Sequence, residues 1–116
     1  MERCKVIQLH RRTYKDPLIV KTGEQLAIGE RDEDYPGWIW CTNKAGKSGW
    51  VPESYLSIDG EKGQINRDYS ALELTVGEGD MLDVVINESG WLLCENESGE
   101  RGWVPGENVE ILSNSN

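Results

Sequence analysis

Few residues in this chain have the type and spacing for chemistry. There is one histidine, His10, and three cysteines, Cys4, Cys41 and Cys94. Metal centres built on these residues place ligands in close pairs such as Cys-x-x-Cys or His-x-x-His. None of the four has such a neighbour, so no metal site is expected. There is no nucleophile motif and no glycine-rich phosphate loop ahead of a helix. The 21 Asp and Glu are plentiful but tied to no predicted pocket. No enzyme and no cofactor are expected. The other available chemistry is aromatic. Five Trp and four Tyr with no Phe combine large apolar bodies with polar tips, which suits a half-exposed binding surface. They also suit the filling of two small cores, and both uses are expected.

The tryptophans come in a repeat. Gly37-Trp38-Ile39-Trp40-Cys41 is followed by Gly49-Trp50-Val51-Pro52. Then Gly90-Trp91-Leu92-Leu93-Cys94 is followed by Gly102-Trp103-Val104-Pro105, every position at one constant offset from its counterpart. Agreement at several rare residues marks a tandem duplication. The repeat predicts two small domains, residues 1–58 and 63–112, and a disordered tail over 113–116. Asp59-Gly60-Glu61-Lys62-Gly63 is left as a short linker between them. Gly23 corresponds to Gly79 at a slightly larger offset, and His10 to Tyr69 at a larger one again. The changes of offset fall in loops, as a shared core predicts.

Short alternating runs between turn residues predict strands and no helices. They lie over 4–9, 25–28, 38–42, 48–51 and 56–58, then over 64–67, 81–86, 91–95, 102–104 and 109–112, with short runs at 18–20 and 73–76 ahead of the turns. Residues 43–47 and 96–100 read as hairpin turns. Alternation places Ile39, Cys41, Leu92, Cys94, Val51 and Val104 toward the cores. The opposite face then carries Trp38, Trp50 and Pro52 in one unit and Trp91, Trp103 and Pro105 in the other. Rigid aromatic walls of this kind grip an extended peptide. Cys41 and Cys94, equivalent places in separate units, are expected as buried reduced thiols.

Charge divides unevenly along the chain. Residues 1–58 carry nine Lys/Arg against eight Asp/Glu, net +1; residues 59–116 carry three against thirteen, net −10. The second half would repel phosphate backbones, so neither nucleic acid nor an anionic membrane is an expected partner. A basic peptide or protein is, although an acidic surface also serves solubility alone. Asp32-Glu33-Asp34 either pairs with a ligand arginine or forms a solvated loop face, and Arg11-Arg12 reads as a solvated pair. His10 reads as a surface residue. No segment has the length of a signal peptide core or a membrane span. A cytoplasmic monomer is expected.

The ordered motifs resemble the Src-homology-3 (SH3) family over nearly the whole chain. In the second unit they are Asp68-Tyr69, Glu73-Leu74-Thr75-Val76, Gly79-Asp80, Gly90-Trp91 and Gly102-Trp103-Val104-Pro105. In the first they are Leu18-Ile19-Val20, Gly23-Glu24, Gly37-Trp38, Gly49-Trp50-Val51-Pro52 and Ser54-Tyr55. The resemblance implies an all-β protein of two tandem small SH3-like barrels. It also implies a groove of Tyr, Trp and Pro for proline-rich peptides. Carried over, the first unit keeps Trp38, Pro52 and Tyr55, with Gln8 and His10 at the places of the motif tyrosines. The second keeps Tyr69, Trp91 and Pro105, with Arg67 at the other tyrosine place. It has Val109 near the place of the last Tyr and one extra residue in Pro105-Gly106-Glu107-Asn108. These departures are similar to those of divergent prokaryotic members. The implied function is a non-enzymatic adaptor or scaffold that binds a proline-rich or basic peptide. The contacts would be Trp38, Trp50, Pro52 and Tyr55, and Tyr69, Trp91, Trp103 and Pro105. Two alternatives stay open: cell-wall or glycan binding, and self-association through the Trp faces.

Overall fold

A computed structural model describes residues 2–112; the tail over 113–116 lies outside the described residues. Among these residues the elements are β-strands, as expected, and two single 3₁₀ turns. The first six strands are β1 (Arg3–Val6), β2 (Ile19–Val20), β3 (Gln25–Arg31), β4 (Trp38–Thr42), β5 (Ser48–Pro52) and β6 (Leu56–Asp59). The next six are β7 (Lys62–Ile65), β8 (Tyr69–Ser70), β9 (Met81–Glu88), β10 (Trp91–Glu95), β11 (Arg101–Pro105) and β12 (Val109–Leu112). The 3₁₀ turns, Glu53–Tyr55 and Gly106–Asn108, follow Pro52 and Pro105 in the same way.

Sequence repeat and folding unit do not coincide. One five-stranded sheet has the order β11-β10-β9-β1-β12 and the other β5-β4-β3-β7-β6. The opening strand of the first repeat therefore lies among strands of the second. Cys4 pairs with Leu82 on one side and with Ile111 on the other. The opening strand of the second repeat lies among strands of the first, with Leu26↔Gly63 and Leu56↔Ile65. The compact units are residues 16–71, and residues up to 15 together with those from 72 onward. The boundaries 1–58 and 63–112 thus mark the duplication, while the compact units are cut near 15/16 and 71/72.

The segment expected as a linker explains this. Asp59 pairs with Lys62 across a tight turn, so β6 and β7 are a hairpin. Antiparallel strands joined by so short a turn pair with each other. That hairpin brings β7 to the edge of β6 and fills the position β1 would otherwise take.

In unit 16–71, Leu18, Leu26, Ile39, Cys41, Val51 and Ile65 are buried. In the other unit, Cys4, Val6, Leu82, Leu92, Cys94 and Val104 are buried together. The inward placement read from alternation holds for Cys41, Cys94, Val51 and Val104. The repeat also preserves turn chemistry. The Asn43 carboxamide oxygen accepts from Ala45 and Lys47 N–H, and that of Asn96 from Ser98 and Glu100 N–H. Gly46 and Gly99 close these turns at φ +85°, a region glycine enters without cost. Gly49 and Gly102 recur for a different reason. A Cβ there would lie 2.8 Å from Leu18 Cβ and 2.9 Å from Leu74 N, respectively.

The regrouping also redistributes charge. Unit 16–71 holds six Lys/Arg and ten Asp/Glu, net −4; the other holds six and eleven, net −5. The asymmetry between the halves of the sequence is not an asymmetry between the folded units.

Candidate functional site

In unit 16–71 the aromatic residues come from both repeats. β5 lies beside β4 with Trp38 opposite Pro52 and Trp40 opposite Trp50. These four therefore share the face away from Ile39 and Cys41. Trp40 and Trp50 meet edge to face at 5.0 Å. β8 supplies Tyr69, whose hydroxyl donates to the Trp50 carbonyl at 2.7 Å and whose ring meets Tyr55 edge-on at 5.6 Å. Arg67, at the place of a motif tyrosine, holds its guanidinium 4.3 Å from the centre of the Tyr55 ring, a cation–π contact. Tyr69 thus joins Trp50 and Tyr55. The expected grouping of Tyr69 with Trp91 is corrected, because the hairpin carries residues 62–71 into this unit.

The site of the other unit is built differently. His10 Nε2 lies 2.9 Å from Glu73 Oε1, and the imidazole meets Trp91 edge-on at 5.7 Å. The same carboxylate accepts from the Thr13 N–H at 3.2 Å and its hydroxyl at 3.0 Å. Trp91 stands opposite Pro105, and Trp103 opposite Leu93. Asn108 stands to Tyr55 as Trp91 stands to Trp38, at the same offset along the chain. Its Nδ2 donates to the carbonyls of Gln8 and Leu9 at 3.3 and 3.1 Å. The two 3₁₀ turns have equal length. The expected extra residue is therefore not there, and Asn108 rather than Val109 takes the place of Tyr55. His10, expected at the surface, is half-buried and paired. Its partner Glu73 escaped sequence reading because the two belong to different repeats.

Exposure separates the expected contacts. Trp38 is 4% exposed, Tyr55 4%, Tyr69 6% and Trp103 3%; Pro52 and Pro105 are buried too. Trp50, Trp91 and Trp40 are half-buried. An open groove lined by all eight expected residues is not what the structure presents. Alternation fixes which face a side chain takes, and that face is itself covered at Trp38 and Trp103. The half-exposed aromatic surface lies at Trp50 with Trp40, and at Trp91 beside His10 and Glu73.

The surrounding charges are mostly committed. Asp32 caps its own loop by accepting from the N–H groups of Asp34 and Tyr35, leaving Glu33 and Asp34 exposed. Arg31 pairs with Glu53, and that hydrogen bond holds the Glu53 carboxyl below its usual range. Asp68 accepts from the N–H and hydroxyl of Thr22 at 2.8 and 2.9 Å, which lowers its pKa. A carboxylate with a depressed folded pKa adds stability above the ordinary range and loses it as pH falls through the folded value. Asp68→Asn is therefore expected to give a shallower acid limb in a plot of melting temperature against pH. An unchanged limb would count against this assignment.

The three thiols are buried and unbridged. Burial pushes Cys41 up to about 12, and a hydrogen bond with Cys4, then burial, pushes Cys94 far up. Neither is a nucleophile at neutral pH. Among the described residues no cluster of three His, Cys, Asp or Glu could hold a metal ion.

The sequence pattern of the variant SH3 domain matches the chain twice, over residues 3–59 and 62–112. The chain belongs to the variant SH3 family. Over 60 residues it is 37% identical to Protein nervous wreck of Drosophila melanogaster. That match covers 51% of this chain and 5% of the relative, so the chain spans a small part of that protein's length. No solved structure matches it. SH3 domains are non-catalytic modules that mediate protein–protein interaction. The barrel architecture and the recurrent Gly-Trp-Val-Pro agree with this assignment.

Proposed function

We propose that this tandem SH3 protein is an interaction module for an extended proline-rich or basic peptide. It contacts that peptide through Trp50 in one unit and Trp91 in the other. The observation that carries this reading is the half-exposure of these two tryptophans beside buried prolines: Trp50 stands two residues before Pro52 on β5, and Trp91 stands opposite Pro105. Rigid aromatic surface fits a backbone that is already extended, because little entropy is lost on docking. Both units are net negative, which favours a basic ligand in either. Three unbridged buried thiols support a reducing, cytoplasmic setting. The two units differ at the site: Arg67 on Tyr55 adds a cation to one, and Glu73 with His10 an acid–imidazole pair to the other. They therefore bind this class of peptide with different preferences for the flanking residues.

The test is a titration of the labelled chain with an arginine-flanked proline-rich peptide, followed by amide and indole shifts. Trp50→Ala and Trp91→Ala should each weaken binding at their own unit by about 2 kcal/mol or more, roughly 30-fold. Replacing the peptide arginine by aspartate should weaken both. Shifts that bypass both tryptophans would sink the proposal.

A further inference from the structure

The exchanged strands meet side chains that suit them, and the unexchanged arrangement would not. Repeat positions are related by constant offsets within each segment, so the alternative contacts can be read off directly. At the offset that relates Gly23 to Gly79, Thr22 corresponds to Glu78 and Pro17 to Glu73. At the offset that relates His10 to Tyr69, Leu9 corresponds to Asp68. In the exchanged fold Asp68 accepts two hydrogen bonds from Thr22, with the Lys21 ammonium 4.0 Å away. Pairing within its own repeat would set Asp68 at the place of Glu78, carboxylate against carboxylate, with Gly77 where Lys21 stands. In the exchanged fold Glu73 accepts from His10 and Thr13. Pairing within the first repeat would set both at the place of Pro17, which has no side-chain acceptor. Arg67 stacks on Tyr55, and Asn108 donates to Gln8 and Leu9. Within one repeat, Arg67 would meet Asn108, and Tyr55 would meet Gln8.

We propose that the two opening segments are dedicated ligands of each other's repeats: residues 2–15 for the strands of 72–112, and residues 62–71 for those of 16–59. The complementary pairs Asp68–Thr22 and His10–Glu73 select this pairing, and the hairpin at Asp59–Lys62 enforces it. Each repeat is then incomplete without the other. The aromatic sites are joint products, with Tyr69 serving Tyr55 and Trp50, and His10 serving Trp91. The departures from the family pattern at His10 and Arg67 are then interface residues between repeats.

Two measurements on the full chain test this. In the observed register Lys5 pairs with Glu110; the unexchanged register would pair Lys5 with Ser57, since Ser57 and Glu110 are equivalent and all three are exposed. Directly opposed strand residues lie within disulfide reach. Under mild oxidation by glutathione disulfide, Lys5→Cys/Glu110→Cys should cross-link at monomer mass and Lys5→Cys/Ser57→Cys should not. Cross-linking of the second pair, alone or alongside the first, overturns the proposal. So does cross-linking of the first pair only at dimer mass. The second measurement needs no cysteine. Thr22→Glu should lower the melting temperature by several degrees, because it faces Asp68, whereas Glu78→Thr should leave it unchanged. Stabilisation by Glu78→Thr with a neutral Thr22→Glu is the pattern of unexchanged pairing. That pattern, or equal effects of the two, overturns the selection.

Discussion

Removing residues 1–15 is expected to unfold the unit built on residues 72–112 and to leave residues 16–71 folded. β1 lies inside its sheet, hydrogen-bonded to β9 on one side and to β12 on the other. Its loss strips both neighbours of a ladder and opens the core where Cys4 and Val6 are fully buried. Filled core positions of this kind cost about 1–3 kcal/mol each when emptied of a few methyl groups. Unpaired backbone groups on two strands add to that. A domain of this size has about 5–15 kcal/mol in total. Residues 16–71, by contrast, retain every strand of their sheet in one continuous segment. The check is amide dispersion and hydrogen-exchange protection, residue by residue. Protection should vanish around Trp91 and Trp103 and persist around Trp38, Trp40 and Trp50. Loss of protection in residues 16–58 instead would mean that β1 belongs to its own repeat.

Trp38→Ala and Trp103→Ala should each cost about 3–5 kcal/mol in urea denaturation, the range for emptying a buried Trp site. Trp38 packs opposite Pro52 at 4% exposure, and Trp103, opposite Leu93, is 3% exposed. The Trp103 backbone N–H donates to the Leu72 carbonyl and its carbonyl accepts from Leu74 N–H, bonds that alanine keeps, so the loss is that of the buried side chain. Trp50→Ala and Trp91→Ala should cost clearly less, since both side chains already meet water. Equal losses at all four positions would show that exposure does not rank them.

What the sequence disclosed depends on which physical signal carried it. Turn positions were legible because Asn43 with Gly46, and Asn96 with Gly99, have side-chain and backbone requirements that few residues meet. The inward direction of Cys41, Val51, Cys94 and Val104 was legible because a strand has period two. Strand exchange was not legible from pattern, because Val6 and Ile65 occupy equivalent places and both are buried apolar residues. Exchanging them leaves every alternation unchanged. Only polar complementarity distinguishes the arrangements: Asp68 suits Thr22 and opposes Glu78. The shortness of residues 59–63 held a second clue, since a stretch too short to tether two domains is long enough to turn a hairpin. The candidate site was half legible. The faces of Trp38 and Trp103 followed from periodicity, but alternation carries no information on what covers a face. Sequence neighbourhood groups Tyr69 with Trp91, and the fold assigns it to Trp50 and Tyr55.

The register of β1 against β12 bears on how this protein responds to force. Arg3 lies opposite Leu112, and Val6 opposite Val109. The first and last strands therefore present their outer ends at the same end of one antiparallel ladder. Tension applied through these ends acts across the strands, along the direction of the hydrogen bonds. Those bonds are loaded one after another, as in opening a zip, rather than together as in shear. Mechanical yielding begins at Arg3 and Leu112 and reaches Val6 and Val109 last. A tug on the ends releases the unit of residues 2–15 and 72–112 before residues 16–71 bear load.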